Sequence, residues 1–98
     1  MPLSEDFRCW RDDRGNPRTT LDGLPREVLH SPDGYEWGYG GSGPSDLALN
    51  ILLLHTGDAE YARRWHQELK RDMVAAFPRE GDAVPLEALD AWVASHRA

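Results

Sequence analysis

The chain has 98 residues and a formal net charge of -6, which leaves room for one domain with a small core. Its composition, 40% hydrophobic with four Trp, excludes a disordered chain. The single Cys excludes an internal disulfide and a Cys-based zinc site. No apolar run approaches the roughly 20 residues of a membrane span, and the acidic start Ser4-Glu5-Asp6 has no signal-peptide core. A reducing, cytoplasmic setting without membrane association is expected. An acidic domain repels phosphates, so nucleic acid is not expected as a direct ligand.

The first third reads as short strands and turns. Phe7-Arg8-Cys9-Trp10 is a strand, the polar run from Asp12 to Pro17 a turn, and Arg18-Thr19-Thr20-Leu21 a second strand with β-branched residues. Glu27 to His30 and Tyr35 to Trp37 flank Ser31-Pro32-Asp33-Gly34, a type I turn signal that predicts a second hairpin. The stretch 38–44 holds four Gly and ends in Pro44, so it is a loop with Pro44 opening a helix. Asp46 complements the positive end of that helix. Leu47 to Leu54 is apolar nearly all round, which places it at the centre of the core, and Gly57 caps it.

Asp58 is the N-cap of a second helix running to about Phe77. Ala62, Trp65, Leu69, Met73 and Phe77 form its apolar stripe, with Arg63, Arg64, Gln67, Lys70 and Arg71 opposite. Pro78 and Gly81 end it. Pro85 opens a third helix with Leu86, Leu89, Trp92 and Val93 inward. Strands followed by helices predict an α+β fold: a small antiparallel sheet from the N-terminal half packed on two or three helices. The single domain divides into strands and turns (1–37), the Gly-rich loop (38–44) and a helical part (45–98).

The run Trp37-Gly38-Tyr39-Gly40-Gly41-Ser42-Gly43-Pro44, entered from Tyr35-Glu36 and followed by Leu47-Ala48-Leu49, resembles the core motif of a family of small bacterial, plasmid and phage domains of unknown function. The Pro85-Leu86 helix with Trp92 fits that family's tail. The resemblance implies the fold and a mobile-element setting, and with them an accessory or counter-defence role. It implies no chemistry.

From the residues alone the loop has two readings. Gly40, Gly41, Ser42 and Gly43 at a helix start are a candidate anion or small-ligand loop, because backbone N–H groups converge there. The other reading is a tight strand-to-helix connection that brings Trp37 and Tyr39 close to the backbone. No Walker A Lys-Ser/Thr pair follows, and Gly38, Gly40 and Gly43 lack the βαβ context of a dinucleotide fingerprint.

Other chemistry is weaker. His55, Asp58, Glu60 and His66 are metal-type ligands, but a helix terminus, an N-cap and a Glu60–Arg64 pair give them ordinary roles. Ser42 or Ser45 with His30 or His55, or Cys9 with a His, would make a nucleophile–base pair only if folded together; Cys9 reads more simply as a small buried hydrophobe. Asn50 interrupts the apolar helix, and if buried it bonds a loop backbone. No catalytic residue, metal or cofactor is expected. The acidity is concentrated in the first fifty residues, with nine Asp/Glu against five Lys/Arg. Asp12, Asp13, Asp22, Asp33 and Glu36 are the candidate surface for a basic protein partner, with solubility as the simpler cause. The expected function is a non-enzymatic acidic binding protein, monomeric or homodimeric, that inhibits a nucleic-acid-handling host defence complex in the manner of an anti-CRISPR. The alternative is a ligand- or anion-binding domain using the Gly-rich loop.

Overall fold

The structure, a computed structural model, describes residues 3–30 and 34–97. In chain order it holds β1 (Phe7–Arg11), β2 (Pro17–Thr19), α1 (Ser42–Thr56), α2 (Ala59–Asp72), a single 3-10 turn (Val74–Ala76), β3 (Gly81–Val84) and α3 (Leu86–Ser95). The fold is α+β. Its sheet is three-stranded and antiparallel, in the order β2-β1-β3.

β1 forms where expected; β2 is shorter and shifted, running over Pro17–Thr19 in place of 18–21, with Thr20 and Leu21 in the following turn. Asp12 Oδ1 accepts from Arg14 N and Asn16 N, each at 2.9 Å, and Gly15 takes the left-handed conformation the turn requires. Alternation along β1 buries Phe7 and Cys9 and turns Arg8 and Trp10 outward.

The third strand comes from the region read as helical. Gly81–Val84 has little strand propensity, and only Val84 is buried. Gly81 is obligatory there: its φ is +125°, and an added Cβ would stand 2.0 Å from Cys9 O. The α2 helix correspondingly stops at Asp72 rather than near Phe77. The 3-10 turn swings Val74 and Phe77 into the core, and Phe77 stacks on Phe7 at 6.1 Å.

The predicted second hairpin does not form. Residues 27–30 and 34–37 are outside any strand; Ser31, Pro32 and Asp33 lie outside the described residues. The 27–30 backbone is bonded instead by side chains of α1, as set out below.

α1 is the central helix. Residues 43–52 are all buried. It begins at Ser42, two residues before Pro44, which is tolerated because Pro44 falls where the first-turn N–H groups lack partners anyway. Gly57 caps it in the left-handed conformation, donating to Leu53 O, and Asp58 Oδ1 caps α2 through Tyr61 N. α3 starts after Pro85, and its Leu86 N–H donates to Asp6 from the sheet side.

Candidate functional site

Two polar side chains lie at the middle of the apolar helix. Asp46 and Asn50, four residues apart on α1, are both fully buried, so both share one helix face. Asn50 Oδ1 accepts from Glu27 N, and its Nδ2 donates to Glu27 O and to Asp46 O, all at 2.8 Å. Asp46 Oδ1 accepts from His30 N at 2.9 Å and Leu29 N at 3.3 Å, and Arg26 approaches the other oxygen at 3.8 Å. Asn50 thus bonds a loop backbone as expected. Asp46 does not sit in the first turn of α1 as expected, because the helix starts at Ser42; it lies one turn further in, fully buried, as an interior clamp.

The clamped segment turns its apolar residues outward. Leu24, Val28 and Leu29 expose 45%, 52% and 48% of their surface. Further ties come from α2. Glu27 pairs with Arg63 at 2.6 Å, and His30 Nε2 lies 2.9 Å from His66 Nε2. His66 is buried and its Nδ1 donates to Arg63 O at 2.7 Å and Ala62 O at 3.1 Å. That fixes the tautomer: His66 Nε2 carries the lone pair, and His30 Nε2–H donates to it. Burial, ahead of every other influence, holds the His66 imidazole below its ordinary 6.5.

The Gly-rich loop is packed against its own chain. Gly41 is the N-cap of α1, and a Cβ there would meet the Tyr39 ring at 2.3 Å. A Cβ on Gly43 would meet Glu36 Cβ at 2.9 Å, whereas nothing lies within 4 Å of Gly40. Ser42 and Gly43 belong to the first turn of α1. Beside the loop is a cleft of about 360 Å³ lined by Arg11, Glu36, Trp37, Gly38, Tyr39 and Arg79. Arg11 grips both Glu36 oxygens, at 2.9 and 3.0 Å, stacks over Trp37 at 4.4 Å and donates through Nε to Arg79 O. The hydrogen bonds from Arg11 hold the Glu36 carboxyl below its ordinary range.

The acidic candidates have individual roles. Asp12 caps its turn, and its backbone hydrogen bonds hold its carboxyl low. Asp22 accepts from Thr19 N and pairs with Arg18 at 3.2 Å. Glu36 belongs to Arg11. Asp13 is exposed, and Asp33 lies outside the described residues. The four described carboxylates are spread over separate depressions: Asp12 and Asp13 line one with Arg11 and Arg14, Asp22 one with Arg18 and Arg26, and Glu36 one with Arg11 and Arg79.

The remaining candidates also separate. His55 meets Asp90 at 2.6 Å, Asp58 caps α2, and His66 faces His30. Among the described residues no group of three or more His, Cys, Asp or Glu is placed to hold a metal ion. Ser45 Oγ donates to Gly41 O and reaches Gln67. Arg64 lies over the Trp65 ring, 5.6 Å from its centroid. Cys9 is buried, and burial pushes its thiol up to about 11. No helix among the described residues is long and apolar enough to cross a membrane.

Sequence reasoning did not single out Leu24, Val28, Leu29 or His30 as a unit. The available signal was the i,i+4 pairing of Asp46 with Asn50 inside an apolar helix, which calls for one shared polar partner. A family model described as a family of unknown function (DUF6166) matches residues 7–95. No curated protein and no solved structure matches the chain.

Proposed function

The chain belongs to this family of unknown function, and we propose that it acts as a non-enzymatic protein-binding module whose contact surface is the segment 24–30. One observation carries the reading: two fully buried polar side chains, Asp46 and Asn50, hold the backbone of a segment that shows its apolar side chains to solvent. Burying a carboxylate and an amide costs several kcal/mol unless their bonds are met, and here they are met by that segment. An apolar loop fixed before contact loses little conformational entropy on binding, and exposed apolar side chains on a rigid scaffold are what an interface core needs. The net charge of -6 steers the module toward a basic partner. A nucleic-acid-handling host defence complex, the partner class expected from the resemblance taken together with the acidic turns, is the first to assay.

The test is affinity capture from host cells, with the double variant Val28→Asp and Leu29→Asp as comparison. A partner retained by the native domain and lost from the folded variant supports the reading. Equal capture by both, or by neither, overturns it. For the defence complex, expression should lower CRISPR interference against a targeted phage, and the variant should not. The second reading, an anion on the loop Gly40 to Gly43, is favoured only by the neighbouring cleft with Arg79 on its wall. Calorimetric titration with phosphate and nucleotides decides it.

A further inference from the structure

The contact between His30 and His66 joins the exposed segment to α2 through a single proton. The ring centroids are 5.1 Å apart and the two Nε2 atoms 2.9 Å apart, so the rings meet nearly end to end, as a linear N–H···N bond demands. His66 Nδ1–H is already committed to Arg63 O and Ala62 O. A second proton on His66 can therefore enter only at Nε2, the atom that accepts from His30.

Gln67 supplies the alternative partner. Its Nε2 stands 3.3 Å from His66 Nε2, and its Oε1 accepts from Ser45 Oγ, also at 3.3 Å. The one Ser45 hydroxyl proton also serves Gly41 O at 3.0 Å. If the Gln67 amide turns over, Oε1 accepts from a protonated His66 Nε2–H. Its NH₂ then donates to the Ser45 lone pair, and the Ser45 proton goes to Gly41 O alone. Every group stays bonded except the His30 ring, which meets a donor and keeps its contact with His66 only if its own proton moves from Nε2 to Nδ1. These are two discrete arrangements differing by one proton.

We propose that His30, His66 and Gln67 form a proton-operated latch on the segment 24–30: closed while His66 is neutral, open once His66 Nε2 is protonated and Gln67 has replaced His30. The latch rests on the binding role argued above, since it would set whether Leu29 and its neighbours are held in their contact shape. The charged groups around His66 are known. From α1, the buried Asp46 carboxylate favours protonation; from the segment, His30 opposes it. Arg26 and Glu27 face Asp46 and Arg63 respectively. On α2, Arg63 offers its carbonyl to His66 while its guanidinium is held by Glu27. Burial outweighs Asp46 and keeps His66 neutral at neutral pH. Asn50 continues to hold the Glu27 backbone, so opening loosens the outer end of the segment, Leu29 and His30 on Asp46, and leaves the core intact.

The experiment is an NMR titration of the free domain from about pH 7.5 to about pH 4.5, spanning the ordinary histidine range. It follows the His66 imidazole nitrogens together with amide exchange, corrected for intrinsic rates. Protection at Leu29 and His30 should fall roughly tenfold, the loss of one hydrogen bond's worth of local stability, over the interval in which His66 titrates. In Gln67→Leu the neutral state should keep its protection, while the His66 titration moves down by about one pH unit because the cation has lost its acceptor. Unchanged protection at Leu29 and His30 while His66 titrates overturns the latch. So does a His66 titration indifferent to Gln67→Leu, or global unfolding before His66 takes up its proton. No partner enters this test, so its failure leaves the binding role standing, and a failed capture leaves the latch standing.

Discussion

Replacing Asn50 by Leu probes the clamp, because it keeps the branched heavy-atom shape, with somewhat larger methyl groups, and removes the amide's hydrogen bonds. Three bonds are lost, two to Glu27 and one to Asp46 O. Asp46 O remains an acceptor within the helix ladder, so the loss falls on Glu27 N and Glu27 O. Each orphaned backbone group costs about 1–3 kcal/mol. Glu27 is half-buried, and water reaching it reduces the total to about 2–4 kcal/mol. A domain of this size has roughly 5–15 kcal/mol in all, and each kcal/mol moves its melting point by roughly 4–8 °C. Asn50→Leu should therefore melt roughly 10–30 °C lower, and the Glu27 amide should lose its exchange protection. Thermal circular dichroism and hydrogen exchange read the two effects. A variant that melts within about 3 °C of the native domain, with Glu27 still protected, would show that the amide is incidental to the segment's shape.

Gly43→Ala must displace Glu36 and should cost about 1–3 kcal/mol, whereas Gly40→Ala, with open space around it, should stay within about 0.5 kcal/mol; chemical denaturation compares them, and equal costs would contradict the packing account of the loop. The Cys9 thiol, pushed up to about 11 by burial, should react with iodoacetamide at neutral pH only as fast as the domain opens; labelling of the native domain at the rate seen in denaturant would refute this. His66, held below 6.5, binds fewer protons folded than unfolded. Its contribution is complete above about pH 6.5 and is lost as the pH falls from there toward its folded value. Glu36, held below 4.5 by Arg11, adds a second loss at lower pH, as the pH falls through its folded value. Denaturant midpoints should trace these two steps, and a His66→Phe variant that keeps the first step would assign it elsewhere.

The parts of this fold with a local cause were legible. Gly57, Asp58 and the apolar run 47–54 dictate their own conformations, and the structure places them accordingly. The failures share one origin, which is bonding between residues distant in sequence. β3 exists because Gly81 tolerates the approach of Cys9 O, not because its residues prefer strands. The second hairpin fails because Asp46 and Asn50 reach the 27–30 backbone first. Of the acidic candidates, Asp12 and Asp22 are engaged within their own turns by Asn16 and Thr19, and Glu36 alone by a residue distant in sequence, Arg11. Asn50 was readable because an amide in an apolar helix demands a partner; which backbone it would meet was not.

The clamp touches the segment almost wholly through main-chain atoms: Glu27 N and O, Leu29 N and His30 N. Such bonds are blind to side-chain identity, so the shape of 24–30 is set by α1 and not by what the segment displays. Arg26, Glu27 and His30 are exceptions, because their side chains answer Asp46, Arg63 and His66. Val28 and Leu29 are about half exposed, so their side chains are free to serve recognition without serving folding. It follows that Val28→Ser and Leu29→Ser, singly or together, should change stability by no more than about 0.5 kcal/mol. At a desolvated interface core, the same changes should weaken partner binding by about 1–2 kcal/mol each, some fivefold to thirtyfold. Denaturation midpoints and titration of the captured partner measure the two quantities on the same proteins. A loss of stability matching the loss of binding would mean that these residues hold the fold, and the separation of scaffold from contact surface would then be wrong.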